Sequence, residues 1–92
     1  MAKLIKTDGT VTVIHPHNGK FFELTELQKL VGGIIECAPT VDDKLIMVCH
    51  EEAKLYNEPI NEKATALYKY GWSSVIAGTV VVGDREEICL DC

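Results

Sequence analysis

A chain of 92 residues is long enough for one hydrophobic core and too short for two, so we predict a single domain over residues 1–92. Hydrophobic residues make up 47% of the chain and charged residues 25%, which is typical of a folded globular protein and excludes a disordered one. The net charge of −5 and the scattered basic residues argue against nucleic-acid binding.

The sequence also lacks the signals of membrane insertion and export. No apolar run approaches the roughly 18 residues that a membrane-spanning helix needs. The N-terminus has no long apolar core of the kind found in signal peptides. We therefore expect a cytoplasmic protein that does not insert into a membrane.

The first third of the chain predicts a hairpin followed by a short helix. Two β-type runs, Lys3 to Lys6 and Val11 to His15, flank an Asp-Gly turn, which is a strong hairpin signal. Thr25 and Gln28 form a capping-box pattern that predicts the start of the helix. Gly32-Gly33 predicts its end, because glycine accepts the positive φ of a helix C-cap.

The next segment predicts a second hairpin, from Ile34 to Ala38 and from Lys44 to His50. Alternation along its second strand places Leu45, Met47 and Cys49 on one face and Ile46, Val48 and His50 on the other. Because both faces carry apolar residues, we expect this hairpin to form the middle of an antiparallel sheet.

The C-terminal half predicts a second helix and two further strands. Asn61 is a favourable N-cap and Gly71 a plausible helix end. Val75 to Val82 is rich in β-branched residues, Gly83-Asp84 predicts a turn, and Glu86 to Leu90 predicts an edge strand. The fold class is therefore α+β, with an antiparallel sheet of five to six strands and two short helices.

Four segments in a fixed order carry a resemblance to a known family: LVGGIIE (Leu30 to Glu36), MVCHEE (Met47 to Glu52), NEPINEKAT (Asn57 to Thr65) and VIAGTVVV (Val75 to Val82). Together they resemble the domain of unknown function 3846 family over roughly residues 3 to 83. His50 departs from this pattern, since Asn is commoner there, and Ala53 stands where Gly is often seen. The resemblance implies a protein of phages, plasmids or conjugative elements, where small acidic proteins often occupy a host protein or sequester a signalling ligand.

The loop from Asn57 to Asn61 is the strongest candidate for a binding site. Two Asn side chains and the amides at a helix N-terminus can bind an anion, and Thr65 lies one turn further on. The alternative is structural, with Asn61 acting only as a helix cap and Asn57 as a turn residue. Lys54 is a further candidate contact for an anionic ligand.

Aromatic residues gather around the second helix, and two of them, Tyr70 and Trp72, are candidate contacts for a protein partner. The histidines His15, His17 and His50 could serve as bases or metal ligands, but no ligand set is complete around them. The paired acids Asp42-Asp43 and Glu51-Glu52 are expected to be solvated.

The four cysteines fall into two classes. Cys37 and Cys49 lie in apolar strand patterns, where cysteine behaves as a small hydrophobic residue. Cys89 and Cys92 have CxxC spacing, which is compatible with zinc, redox chemistry or a disulfide, although a second ligand pair is missing.

The leading hypothesis is a non-enzymatic accessory protein that binds and modulates a host protein, with no cofactor and no bound metal. The second is a ligand-binding module, in which an oligomer of these domains holds a small anionic nucleotide or signal through Asn57, Asn61 and Thr65, with Lys54 as a further contact. A zinc or redox protein is the third. The sequence is compatible with a monomer or a homo-oligomer.

Overall fold

The computed structural model describes residues 2–88, in which one antiparallel sheet lies between two short helices. The strands are β1 (Ala2–Ile5), β2 (Val11–Ile14), β3 (Ile35–Pro39), β4 (Leu45–His50) and β5 (Val80–Asp84), and the helices are α1 (Leu24–Val31) and α2 (Glu62–Leu67). This arrangement confirms the predicted α+β class. Within the described part of the chain, neither helix is long and apolar enough to cross a membrane.

The strands are arranged in the order β2-β1-β5-β4-β3, and every neighbouring pair is antiparallel. β5 is therefore the central strand, which joins the two hairpins into one sheet. Its residues Val80, Val81 and Val82 are buried on both faces of the sheet. The prediction that the second hairpin forms the middle of the sheet is wrong for β3, which is an edge strand, and correct for β4, which is internal.

A separate apolar core lies on each face of the sheet. The core under α1 contains Leu27 and Val31 of the helix packed on alternate residues of β4, Ile46 and Val48. The core under α2 contains Ala64 packed near Met47 and Cys49, which point the opposite way. The two faces predicted for β4 are thus confirmed.

Helix α1 begins earlier than predicted and ends as predicted. Its N-cap is Glu23, not Thr25, and the backbone N–H of Glu23 donates to Oε1 of Glu26 at 3.1 Å. The sequence pattern was misleading because Glu26, rather than Gln28, stands three residues after the cap. Gly32 has a φ of 95° and forms the left-handed C-cap.

Helix α2 begins at the predicted cap, Asn61, but ends at Tyr68 instead of Gly71. The predicted strand from Val75 begins only at Val80. The residues between form a separate short pairing, in which Ile60 bridges Ala77. This pairing links the start of α2 to the segment that leads into β5.

The end of the described chain also differs from the prediction. Gly83 and Asp84 belong to β5 rather than to a turn. Residues 86–88 form a turn instead of an edge strand, and Ile88 is buried in the core under α1. The rest of the predicted edge strand lies outside the described residues.

Candidate functional site

A cleft of about 450 Å³ opens between the C-terminal end of α1 and loop 51–59, which follows β4. We call it the His50 cleft. Its lining residues come from the α1 C-cap, the end of β4 and loop 51–59: Gly32, Gly33, Ile34, His50, Glu52, Tyr56 and Glu58.

His50, the last residue of β4, is 9% exposed and is held by a carboxylate. Its Nδ1 lies 3.0 Å from Oε2 of Glu58. Because an ionised carboxylate can only accept hydrogen bonds, Nδ1 carries the proton in the neutral imidazole and donates it to Glu58. Nε2 is then a hydrogen-bond acceptor, and within residues 2–88 the only hydrogen bond of the ring is the one at Nδ1.

Loop 51–59 is shaped to bring Glu58 back to His50. The N–H of Ala53 donates to the carbonyl of His50 at 3.1 Å, and the N–H of Glu58 donates to the carbonyl of Ala53 at 3.0 Å. Asn57 adopts a φ of 55°, a left-handed conformation that Asn accepts more readily than most residues. Tyr56 stacks on the imidazole, with ring centroids 5.7 Å apart and an interplanar angle of 13°.

The opposite wall of the cleft depends on a glycine. The N–H of Gly33 donates to the carbonyl of Gln28 at 3.0 Å, which completes the end of α1. A Cβ at position 33 would overlap Nε2 of His50. The absence of a side chain therefore lets the backbone pass close to the imidazole without displacing it.

The electrostatic character of the His50 cleft is negative. Glu52 and Glu58 supply two carboxylates, and the C-terminal end of α1 adds the partial negative charge of a helix terminus. Neither Lys nor Arg occurs among the described residues that line it, nor does a Ser, Thr or Cys nucleophile. The cleft thus offers hydrogen-bond acceptors and one aromatic ring.

A second feature lies on the other side of the sheet, where Trp72 is 84% exposed. The indole borders a groove of about 480 Å³, together with Val41 and residues of α2. The N–H of Val41 donates to the carbonyl of Leu67 at 2.9 Å, which ties the β3–β4 turn to the end of α2. We call the area formed by the residues that line this groove the Trp72 surface: Val41, Glu62, Thr65, Ala66, Tyr68, Lys69, Gly71 and Trp72.

The structure places Asn61, a predicted binding residue, inside the molecule at 1% exposure. Its Nδ2 donates to the carbonyls of Ile5 and Gly78, each at 2.9 Å, and its Oδ1 accepts the N–H of Ala64 at 3.1 Å. The structural alternative, a helix cap, is thereby confirmed. The amide group has no hydrogen left for a ligand.

Thr65 and Asn57, the other two residues of the predicted anion site, have separate structural roles. The hydroxyl of Thr65 donates to the carbonyl of Asn61 at 2.8 Å and accepts the N–H of Ile76 at 2.9 Å. Asn57 is exposed in loop 51–59 and its backbone shapes the turn. These contacts give no support to an anion site built from Asn57, Asn61 and Thr65.

The structure does bring Thr65 and Trp72 together, since both line the same groove. Tyr70 is 44% exposed and makes an edge-to-face contact with Tyr68, with ring centroids 5.8 Å apart. The two predicted aromatic contacts, Tyr70 and Trp72, are therefore both accessible.

Sequence reasoning missed the pairing of His50 with Glu58. The sequence places His50 at the end of a strand and Glu58 in the loop from Asn57 to Asn61, and no local pattern links the two. The signal available was an acid eight residues after a strand-end histidine, placed between Asn57 and Pro59, two residue types that favour turns. By contrast, His15 and His17 are both exposed.

Of the two cysteines in the described chain, Cys49 behaves as its strand pattern predicts, whereas Cys37 does not: it takes part in a disulfide bond, so the prediction that it is only a small hydrophobic residue is wrong. Cys37 packs against the core under α1, and Cys49 is a buried free thiol in the core under α2. Burial, reinforced by Glu36, raises the pKa of the Cys49 thiol to about 12. Cys89 and Cys92 lie outside the described residues, and residues 2–88 contain no cluster of three or more potential metal ligands.

Comparison with protein families matches residues 3–89 to the Domain of unknown function (DUF3846). The chain belongs to this family. The match spans both hairpins, both helices and β5, so all described elements are part of the family's domain. Neither the curated proteins nor the solved structures contained a match.

Proposed function

We propose that this member of the DUF3846 family binds another protein and acts by covering part of that partner's surface, without catalysing a reaction. The observation that carries the proposal is the 84% exposure of Trp72 beside a groove with both apolar and charged lining residues. Tryptophan and tyrosine are strongly enriched among the residues that dominate protein–protein binding energies. A tryptophan with so little internal packing contributes little to the fold, so a role in binding accounts for its position.

The backbone below the Trp72 surface is well anchored. Besides the Val41–Leu67 hydrogen bond, the N–H of Lys69 donates to the carbonyl of Pro39 at 3.0 Å. These two hydrogen bonds fix the end of β3, in the sheet, relative to the end of α2, which packs on the sheet. A surface that needs little ordering loses less conformational entropy on binding, which favours affinity.

The proposed partner is a host protein with an apolar pocket for the indole and a basic rim. The phage and mobile-element setting implied by the family resemblance supports a host target, and the net charge of −5 favours basic surfaces electrostatically. The localisation that goes with this proposal is the cytoplasm.

The test is native mass spectrometry of the protein purified from its natural host, as wild type and as the Trp72→Ala variant. A co-purifying polypeptide that is lost with Trp72→Ala supports the proposal. The matched control is Leu55→Ala, which also removes a highly exposed apolar side chain (76%) but one that does not line the Trp72 groove. This control is expected to retain the partner.

Three results would overturn the proposal. A polypeptide that is retained by Trp72→Ala would place the interface elsewhere. A small-molecule mass released on denaturation, without any polypeptide, would favour the alternative of a ligand-binding module. A homo-oligomer that dissociates in Trp72→Ala would make the Trp72 surface a self-interface instead.

A further inference from the structure

We propose that the His50 cleft is a binding site for an alkylammonium group, that is, a primary amine in its charged form at the end of a short alkyl chain. This site is separate from the Trp72 surface and does not depend on the function proposed for it. The two features share no lining residue.

The first support is the state of His50. Its side chain is only 8% exposed, yet only one of its two ring nitrogens has a partner in the described chain. Nε2 is not one of the fully buried polar atoms that lack a partner, so it is an acceptor that solvent, or a ligand in the cleft, can reach. The unpaired Nε2 lies at the wall of the cleft beside Gly33, where a hydrogen-bond donor from a ligand would satisfy it.

The second support is the sign of the charge around that nitrogen. Glu52 and Glu58 both line the cleft, and the C-terminal end of α1 points toward the same space. With no Lys or Arg in the described lining, an anion would meet only repulsion. A cation that donates hydrogen bonds is the complementary ligand.

The third support is the number and type of surrounding groups. A primary ammonium has three N–H donors, and the cleft offers three acceptor groups: Nε2 of His50 and the carboxylates of Glu52 and Glu58. The exposed faces of Tyr56 (66%) and Ile34 (53%) provide apolar surface for an alkyl chain. An aromatic ring also attracts a nearby cation.

A metal ion fits these residues less well. Metal coordination requires several ligand atoms to converge on one point at roughly 2 Å. In the described part of the chain, no group of three His, Cys, Asp or Glu residues meets this condition, and His50, Glu52 and Glu58 are included in that finding. An ammonium group accepts the wider spacing, because its hydrogen bonds are roughly 2.8 Å long.

The test is titration of the full chain with two probes, 1,4-diaminobutane and Nα-acetyl-lysine amide, followed by the backbone amide NMR signals. We expect both probes to shift the signals of Gly33 and Glu52, and the Nζ-acetylated form of the lysine probe, which is neutral, to shift neither. Tighter binding of the lysine probe would identify a protein side chain as the source of the amine. Tighter binding of the diamine would identify a free polyamine.

Two neighbouring glutamates provide matched variants. Glu52→Gln removes a carboxylate from the cleft, whereas Glu51→Gln makes the same charge change at an exposed residue that does not line it. We expect Glu52→Gln to raise the dissociation constant about tenfold, the cost of losing one charge-assisted hydrogen bond, and Glu51→Gln to change it less than about twofold. Thermal unfolding of both variants checks that the fold is retained.

A third variant, His50→Asn, tests the imidazole itself. The amide nitrogen of Asn can stand near the position of Nδ1 and donate to Glu58, whereas nothing replaces Nε2. Binding of the amine should weaken in this variant while the protein stays folded. The proposal is overturned if neither probe binds to the wild type, or if Glu51→Gln and Glu52→Gln weaken binding equally.

Discussion

Asn61 and His50 are two buried polar residues that differ in how many of their side-chain hydrogen-bonding atoms have partners within the fold. The Asn61 junction, formed by Asn61 with Ile5, Ala64 and Gly78, uses both amide hydrogens and the carbonyl oxygen within the fold. In the His50 cleft, one imidazole nitrogen is paired with Glu58, and this is the only hydrogen bond of the ring within the described chain. A saturated buried group indicates a structural role, whereas a half-satisfied one beside a cavity indicates a site for a ligand.

The largest effect is expected at the Asn61 junction. Asn61→Ala removes the cap of α2 and leaves two buried carbonyls, those of Ile5 and Gly78, without donors. We expect the free energy of unfolding to fall by about 3 kcal/mol, measured by urea denaturation. In the control, Asn57→Gly, the exposed left-handed position accepts glycine, so the change should stay within about 0.5 kcal/mol. Equal losses in the two variants would remove the distinction between the loop and the junction.

The next effect concerns the wall of the His50 cleft. In Gly33→Ala the new methyl group overlaps Nε2 of His50, so either the imidazole or the α1 C-cap must shift. We expect a loss of about 2 kcal/mol in the free energy of unfolding.

A double-mutant cycle shows whether the imidazole is the cause of that loss. With His50→Ala as background, Gly33→Ala should cost less than about 0.5 kcal/mol, because the clashing ring is gone. A cost that persists in this background would instead locate the strain in the backbone.

A smaller effect is expected for Glu58→Gln, which replaces the acceptor of His50 by a neutral amide. The pair is partly exposed, so we expect a loss of only about 1 kcal/mol in the free energy of unfolding. The more specific readout is the ¹⁵N NMR spectrum of the imidazole. The wild type should carry its proton on Nδ1, and the variant should lose this preference. Glu52→Gln should leave the tautomer unchanged, and a matching change there would show that Glu58 does not set it.

The smallest effect on stability is expected at the Trp72 surface. Trp72 is 84% exposed, so Trp72→Ala should change the free energy of unfolding by less than about 0.5 kcal/mol. Thermal and urea unfolding measure this directly. A large loss would mean that the indole supports the fold, and the partner-binding role proposed for it would lose its main argument.

Features set by local patterns were predictable from the sequence. The first hairpin, the C-cap at Gly32, the cap at Asn61 and the two faces of β4 follow from turn chemistry and alternation, and the structure confirms each of them. These features depend on residues close together along the chain, so a single sequence contains the necessary information.

Features set by distant contacts were not predictable in this way. The placement of β5 between β1 and β4 depends on partners more than 30 residues away, which no local pattern encodes. The burial of Asn61 against Ile5 also depends on a distant contact. The sequence alone therefore could not show whether Asn61 caps the helix or contacts a ligand. The His50–Glu58 pair was missed because only the fold of loop 51–59 brings the two residues together.

The central position of β5 has a consequence for the order in which this domain forms during synthesis. The two hairpins can each pair as soon as they leave the ribosome, but no strand pairing joins them into one sheet until residues 80–84 arrive. Until then β1 and β4 each present an open edge, and strand edges of this kind readily pair with other chains. We therefore expect the nascent protein to be most vulnerable to misassembly just before β5 emerges, and the sheet to form cooperatively once β5 is available.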